Sequence, residues 1–218
     1  MKYIIPILLL LLIGLAACDE HKEFPDNSLA IGHILCTDGE TMDYESYKQS
    51  NKRAIAVVFY VNHDLNKEEQ GEGYAVYLWD MEPVAFADST GATQGTSADV
   101  DALDGNTNTY SMYVGKEVGS PLAMQVFDLW HYGQSAYIPS VAQVRLLRAA
   151  KSVINPFITE CGGNILPDVA DECWYWTSTE VKGQENDKAW LYSLKSGAIQ
   201  ETPKLHCHKS RPIITINY

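Results

Sequence analysis

Continuous apolar runs mark two strands in the first half of the chain. Residues 55–61 are mostly β-branched and aromatic, which is typical of a strand buried on both faces. Residues 74–79 form a second apolar run, and the polar segment between them, 62–73, contains two glycines. This pattern predicts an antiparallel hairpin with a long loop.

Helical periodicity appears in the middle of the chain. Ser120 is an N-cap residue, and Pro121 takes the first helical position of one predicted helix. A second helix is predicted to begin at Pro139-Ser140, and Pro156 is expected to kink or end it. Its predicted apolar face consists of Ala142, Leu146, Ala149, Ala150 and Val153. The arginines at positions 145 and 148 then lie on a solvated face.

The remaining segments are a long loop and a tail rich in strands. Residues 88–108 are rich in Ser, Thr, Gly, Asp and Asn, and we predict a long irregular excursion there. Residues 188–195 alternate, which places Trp190 with Tyr192 and Leu194 on one face of a strand. Two helices followed by three or four strands predict an α+β fold rather than βαβ repeats.

The first 17 residues have the pattern of a secretory signal peptide, with a positive start and an apolar run too short to span a bilayer. Leu15–Cys18 resembles the bacterial lipobox, in which the cysteine is diacylated and becomes the mature N-terminus. The alternative is an ordinary signal peptide followed by a chance cysteine. We therefore predict a lipoprotein signal peptide at 1–17, an acylated tether at 18–29 and one domain at 30–218.

The lipid anchor makes the membrane a predicted partner through Cys18, because several acyl chains on one cysteine anchor a protein stably. The acidic pair Asp19-Glu20 resembles the surface-export signal of Bacteroidetes lipoproteins. We predict an outer-membrane location that faces the cell exterior; a periplasm-facing protein with a soluble spacer is the alternative.

Charge excludes one class of partner. The chain has 16 Lys and Arg against 28 Asp and Glu, for a formal net charge of −12. No basic excess is present to release counterions from a nucleic-acid backbone, so nucleic acid is not a predicted partner.

Five cysteines are present, and Cys18 is assigned to the lipid. Outside the cytosol, the other four permit two disulfides in any of three connectivities. Proximity in sequence favours a disulfide between Cys161 and Cys173, and four unpaired thiols are the alternative.

Motifs in the second half resemble one known family. Residues 174–180, Trp-Tyr-Trp-Thr-Ser-Thr-Glu, are similar to the Trp-Ser-Ser-Thr-Glu signature of the Legionella collagen-like adhesin C-terminal domain family. Residues 137–140 match that family's Tyr-Leu-Pro-Ser motif at the start of its second helix. Markers at 189–190, 196–197 and 211–213 follow in the family's order. The resemblance implies a C-type-lectin-like fold, with two helices packed on small, mostly antiparallel sheets.

The resemblance also implies a division of roles in the tail. The variable ligand surface of this fold corresponds to 181–187 and 200–208 here, and these segments are expected to be exposed. The predicted ligand-binding residues are Gln184, Glu185, Asn186, Gln200, Glu201, Lys204, His206 and His208. The predicted structural residues are Trp174, Trp176, Trp190 and Arg211.

No metal or cofactor is predicted. The oxygen ligands Asp99, Asp101, Asp104 and Asn106 miss the spacing of a calcium loop, and no Glu closes it. His206 and His208 are expected to share one exposed strand face, with Cys207 pointing inward, and two ligands are too few for a transition metal.

The chain also lacks a Gly-x-Ser-x-Gly elbow, a Walker loop and a dinucleotide fingerprint, and we predict no enzymatic activity. The composition, with 13 Tyr and 5 Trp, suits a ligand-contacting surface. The predicted function is a calcium-independent, adhesin-like binding module for an unidentified glycan or protein. The alternative is a structural or assembly component of the envelope or of a fimbrial tip.

Overall fold

A computed structural model describes residues 28–64, 71–115, 117–127, 129 and 136–217. The predicted signal peptide and Cys18, together with most of the predicted tether, lie outside the described residues. Within these ranges, none of the helices combines the length and apolar character needed to cross a membrane.

The described residues form short strands around one long helix. The helices are α1 (Tyr44–Gln49), α2 (Gly105–Tyr113), α3 (Pro121–Phe127) and α4 (Val141–Glu160). The first strands are β1 (Ile34–Cys36), β2 (Thr41–Met42), β3 (Ala54–Val61), β4 (Gly73–Tyr77) and β5 (Val84–Ala85). The later strands are β6 (Trp174–Glu180), β7 (Lys188–Ser193), β8 (Ile199–Pro203), β9 (Cys207–His208) and β10 (Ile213–Ile216). This mixture confirms the predicted α+β class.

Three antiparallel sheets organise the strands. The largest has the order β10-β4-β3-β1-β2, and β6-β7-β8 and β5-β9 form the other two. Strands β3 and β4 pair antiparallel, with Val57 opposite Val76, so the predicted long-looped hairpin is confirmed. The C-terminal strand β10 joins the main sheet beside β4, which ties the two ends of the described chain into one sheet.

The two faces of the main sheet bury two apolar clusters. One cluster, the α4-side cluster, lies under α4 and includes Val57, Tyr192 and Leu194, with Trp190 packed against it. The other lies under α3 and includes Trp176. Ala189 and Leu191 also belong to the second cluster, so the alternation predicted for 188–195 is confirmed.

Helix α4 begins where the sequence predicts, because Ser140 and Gln143 form a reciprocal capping box. The predicted apolar face is displaced, however. The buried stripe runs through Val144, Leu147, Ala150, Ile154 and Ile158, whereas Ala149 and Val153 are exposed. Two apolar stripes overlap in this segment, and the main sheet selects the one that extends to Ile158.

Pro156 neither ends nor interrupts α4, which continues to Glu160. The residue whose carbonyl loses its donor is Ser152, four positions earlier. Both side chains are exposed, so this side of the helix faces solvent and water can satisfy the carbonyl. The expectation of a helix boundary at Pro156 is therefore wrong.

The predicted irregular excursion at 88–108 runs into a helix, α2, because tertiary contacts stabilise one there. A Cβ atom at Gly105 would clash with Gln143 Oε1, so the first turn of α2 fits tightly against the cap of α4. Thr109 Oγ1 accepts from Ile138 N at 2.9 Å and lies 2.8 Å from Gly105 O. These contacts override the weak local helix preference of the segment.

The four described cysteines are free thiols, so the predicted Cys161–Cys173 disulfide is not formed. Cys173 is buried, with its Sγ 3.1 Å from both Ala170 O and Ser193 Oγ. Cys161 instead packs against the α4-side cluster, which includes Cys36. Burial raises the pKa of both Cys36 and Cys161 to about 11, so these two thiols stay protonated at neutral pH.

Candidate functional site

The tail is fixed to the 88–108 excursion by one buried carboxylate, that of Glu180. Glu180 ends β6 and is completely buried. Its oxygens accept from Gln94 N at 2.6 Å, from Thr93 Oγ1 at 2.8 Å, and from Thr96 N at 3.2 Å and Oγ1 at 3.0 Å. The carboxylate therefore holds residues 93–96 against the end of β6.

Lys204 completes this arrangement. Its ammonium ion-pairs with Glu180 and also donates to Ala92 O at 3.4 Å, and both side chains of the pair are fully buried. Lys204 follows the buried Thr202 at the alternate position, so it points inward from the end of β8. Its prediction as an exposed ligand-binding residue is therefore wrong; the lysine ties the tail to the excursion.

Next to this ion pair lies a groove of about 690 Å³, here called the Trp190 groove. Its lining residues are Ser97, Ala98, Asp99, Val100, Val181, Lys182, Glu185, Trp190 and Glu201. One wall thus comes from the excursion, and the others come from the turn after β6 and from β7 and β8. Two parts of the chain that are distant in sequence, the excursion and the tail, therefore meet at one surface.

The excursion wall of the Trp190 groove has a strained backbone. Ala98 has a φ of 54°, in the left-handed region that favours glycine. Its neighbour Ser97 donates its backbone N–H to Asn108 Oδ1 at 3.1 Å, which fastens the wall to α2. Strained non-glycine backbone persists only where surrounding contacts fix it, and it concentrates at binding sites.

The predicted ligand-binding residues of the turn and of β8 come partly together. Gln184 Nε2 donates to Glu201 Oε2 at 3.2 Å, and Lys188 Nζ lies 3.1 Å from the same oxygen. Gly183 N donates to Glu185 Oε1 at 2.8 Å, and this hydrogen bond lowers the pKa of Glu185. Glu185 and Glu201 both line the Trp190 groove, beside the indole of Trp190.

Asn186 and Gln200 are exposed but do not line this groove. Asn186 lines a second depression of about 510 Å³, whose other walls include Gly91–Gly95 and α2. Gln200 neighbours Glu201 on β8 and therefore projects from the opposite face of that strand.

The His206–His208 segment differs from its predicted arrangement. Strand β9 pairs with β5, Cys207 is exposed, and His208 is half-buried, with its ring 5.3 Å from that of Trp176. The inward cysteine and the shared outward face of the two histidines are therefore wrong, because β9 lies over Trp176. Neither histidine lines the Trp190 groove.

We expect His208 to make the stability of the protein depend on pH. Burial, with a smaller effect from His206, lowers the pKa of His208, so the unfolded state takes up this proton first as the pH falls. The stabilisation is complete above the ordinary pKa of about 6.5 and is lost as the pH falls through the lower folded value. As the pH is lowered from 8 to 6 and then to 5, the melting temperature should decrease less in His208→Gln than in wild type. His206→Gln, which alters an exposed histidine, is the control and should show most of the decrease seen in wild type. Parallel curves for His208→Gln and wild type would contradict this assignment.

Each carboxylate of the acidic loop beside the groove makes at least one contact within the protein. Asp99 accepts from Asp101 N at 2.9 Å, and Asp101 in turn pairs with Arg145 at 3.0 Å. Asp104 accepts from Asn108 at 2.8 Å. Among the described residues, no three His, Cys, Asp or Glu side chains are grouped closely enough to hold a metal ion.

Sequence reasoning missed Glu180, although it ends the motif at 174–180. A buried carboxylate needs a cationic partner and hydrogen-bond donors, and Lys204 is the partner. The usable signal was a glutamate placed in a strand whose other residues are aromatic or small.

No family model and no curated protein matches this chain. Among solved structures, the chain is similar to a fimbrial protein from Bacteroides ovatus, with a TM-score of 0.67 and 14% sequence identity. The match covers 86% of this chain and 49% of that protein, so this chain spans about half of its structural neighbour. The two proteins therefore share a fold over most of the present chain.

Proposed function

We propose that this protein is a non-catalytic binding module of the cell surface that holds a protein or glycan ligand in the Trp190 groove. The observation that supports this most strongly is the convergence of Glu185, Glu201 and Trp190 with the strained wall at Ala98. The lectin-like arrangement implied by the tail motifs belongs to the same proposal, since folds of that class place ligand surfaces in this part of the chain.

The chemistry of the groove favours a ligand that donates hydrogen bonds. Asp99, Glu185 and Glu201 supply carboxylate acceptors, whereas Lys182 is the cation among the lining residues. Such a rim suits the amines of a protein surface or the hydroxyl groups of a glycan. The indole of Trp190 offers an apolar wall beside these acceptors.

The excursion wall is already ordered, which favours binding. Glu180 accepts hydrogen bonds from residues 93–96, and the backbone N–H of Ser97 donates to Asn108 of α2. A wall that is ordered before the ligand arrives avoids the entropic cost of ordering it on binding.

The groove is better suited to holding a ligand than to catalysis. Its lining residues include no histidine or cysteine. A carboxylic acid that donates protons needs a raised pKa, whereas the pKa of Glu185 is lowered by its hydrogen bond to Gly183. We therefore assign no catalytic role to Glu185.

A second candidate is a structural component of a fimbria. It is favoured by the fold shared with the Bacteroides ovatus fimbrial protein, which is about twice as long as the matched region. The two candidates differ in a simple test, which is the location of the protein after cells are sheared. A fimbrial component leaves the cell with the sheared appendages, whereas an individually anchored module stays in the membrane fraction.

To test the groove, the full chain is purified in detergent and applied to arrays of glycans and extracellular proteins. A glycan or protein that the wild type binds is the array ligand. We expect the double variant Glu185→Gln/Glu201→Gln to lose at least tenfold in affinity for whatever the wild type binds. The control Glu45→Gln/Glu172→Gln removes the same charge at exposed positions outside the groove and should bind as wild type does. A chelator should leave the signals unchanged. Equal binding by the two double variants would place the ligand elsewhere.

The predicted lipid anchor has a direct test. Cys18→Ala removes the acylated thiol, and we expect the protein to move from the membrane pellet to the soluble fraction after cell lysis. Cys207→Ala, which alters an exposed thiol far along the chain, is the matched control and should stay in the pellet. Retention of Cys18→Ala in the membrane fraction would rule out the anchor.

A further inference from the structure

A separate concavity lies where β3 begins and β4 ends. It has a volume of about 390 Å³, within the range of about 300–1,000 Å³ that small-molecule sites occupy. The residues that line this Trp79 pocket are Thr37, Arg53, Ile55, Tyr77, Trp79, Met81 and Leu129. None of them lines the Trp190 groove.

The floor of the Trp79 pocket is rigid and apolar. Ile55 and Tyr77 are buried residues of paired strands, and the Tyr77 hydroxyl donates to Leu129 O at 3.2 Å. Trp79, by contrast, is 38% exposed. The pocket therefore has a fixed floor and an indole that solvent, or a ligand, can reach.

The cationic group of this pocket is uncommitted. The backbone of Arg53 is fixed, because its carbonyl accepts from Thr37 N at 2.9 Å. Its guanidinium makes no ion pair or hydrogen bond with any described residue, whereas the neighbouring Lys52 pairs with both Asp38 and Glu40. A guanidinium presents parallel N–H donors that match a carboxylate.

Local charge permits an anion here in spite of the acidic chain. Beside the pocket, Asp80 pairs with both Lys209 and Arg211. Lys52 pairs with both Asp38 and Glu40 next to Thr37 and so offsets one of these two acidic charges. The Asp80 and Lys52 clusters together therefore carry no net charge, although the whole chain carries −12.

We propose that the Trp79 pocket binds an acidic sugar residue, a hexuronate, of a surface or extracellular polysaccharide. The aliphatic face of the pyranose ring packs on the exposed indole of Trp79, and the uronate carboxylate pairs with the guanidinium of Arg53. The pocket is large enough for a single residue of this kind, and its apolar floor excludes water from beneath the ring.

In the test, the full chain in detergent is titrated with a β-1,4-linked glucuronate trimer, and a β-1,4-linked glucose trimer is the neutral control. Binding is measured by calorimetry and by tryptophan fluorescence. We expect the wild type to bind the glucuronate trimer at least tenfold more tightly than the glucose trimer. Trp79→Ala should lose binding of both, and Arg53→Gln should lose only the preference for uronate. Added salt should weaken uronate binding by wild type but not by Arg53→Gln.

Matched controls separate this site from the Trp190 groove. Tyr110→Ala removes an exposed aromatic side chain on α2, and Arg145→Gln removes an exposed guanidinium on α4; both should bind the glucuronate trimer as wild type does. Glu185→Gln/Glu201→Gln should also leave this binding intact, whatever it does to the array ligand. No binding of the glucuronate trimer by wild type, or wild-type binding by Trp79→Ala, would overturn the proposal. The proposal would also be overturned if a peptide that ends in a free carboxylate bound more tightly than the glucuronate trimer.

Discussion

Glu180→Gln is expected to destabilise the protein by about 3–5 kcal/mol, because it leaves the ammonium of Lys204 buried without a counterion. Glutamine has the shape of glutamate but carries an amide N–H₂ group, which must face the donors at Thr93, Gln94 or Thr96. Urea unfolding monitored by circular dichroism measures the loss of unfolding free energy.

Lys204→Met tests the other half of the pair. We expect a smaller loss than for Glu180→Gln, since the carboxylate keeps its four hydrogen bonds from residues 93–96. The double variant should lose less than the two single losses added together, because neither partner is then left alone. Strictly additive losses would show that the pair is not coupled.

Lys188→Met is the matched control for this pair. Lys188 also pairs with a glutamate, Glu201, but both side chains are partly exposed, and surface pairs contribute at most about 1 kcal/mol. A loss for Lys188→Met as large as that for Glu180→Gln would mean that burial does not determine the cost.

Elements with local chemical signals were predictable from the sequence. The capping box of Ser140 and Gln143 and the Ser120–Pro121 start each depend on residues within one helical turn. The apolar run of β3 likewise has no competing interpretation, because its length and β-branched content suit a buried strand. Local chemistry was sufficient in each case.

Elements that depend on distant partners were not predictable in this way. Helix α2 owes its position to hydrogen bonds with Gln143 and Ile138, which lie 38 and 29 residues further along the chain than their partners in α2. The apolar stripe of α4 was misjudged for the same reason, since only the main sheet decides between two overlapping stripes. Pairing across the fold overrides weak local preference.

The candidate site was partly predictable. The resemblance in the tail pointed to Glu185 and Glu201, and both line the Trp190 groove. It did not reveal that Lys204 turns inward, nor that the excursion supplies the opposite wall, because both facts depend on Glu180. A single sequence gives little indication of which charged residues from distant segments form a buried ion pair.

The tryptophans of the tail are expected to respond very differently to truncation. Trp176 is fully buried, donates from Nε1 to Val84 O at 3.1 Å, and packs edge-on against Phe86. Trp176→Ala removes this volume from the centre of the core and should cost about 3–5 kcal/mol of unfolding free energy. Urea unfolding of the purified variant measures the loss.

Trp190→Ala is the informative comparison, because Trp190 is half-buried and forms a wall of the groove. Its Nε1 is buried without a hydrogen-bond partner among the described residues, so truncation loses packing against the α4-side cluster but no hydrogen bond. We therefore expect Trp190→Ala to lose less stability than Trp176→Ala while losing binding of the array ligand. If the two variants unfold at the same urea concentration, Trp190 is a core residue and the wall of the groove lies elsewhere. If Trp190→Ala is the more stable variant and still binds as wild type, the indole plays no part in recognition, and the carboxylates of Glu185 and Glu201 act alone.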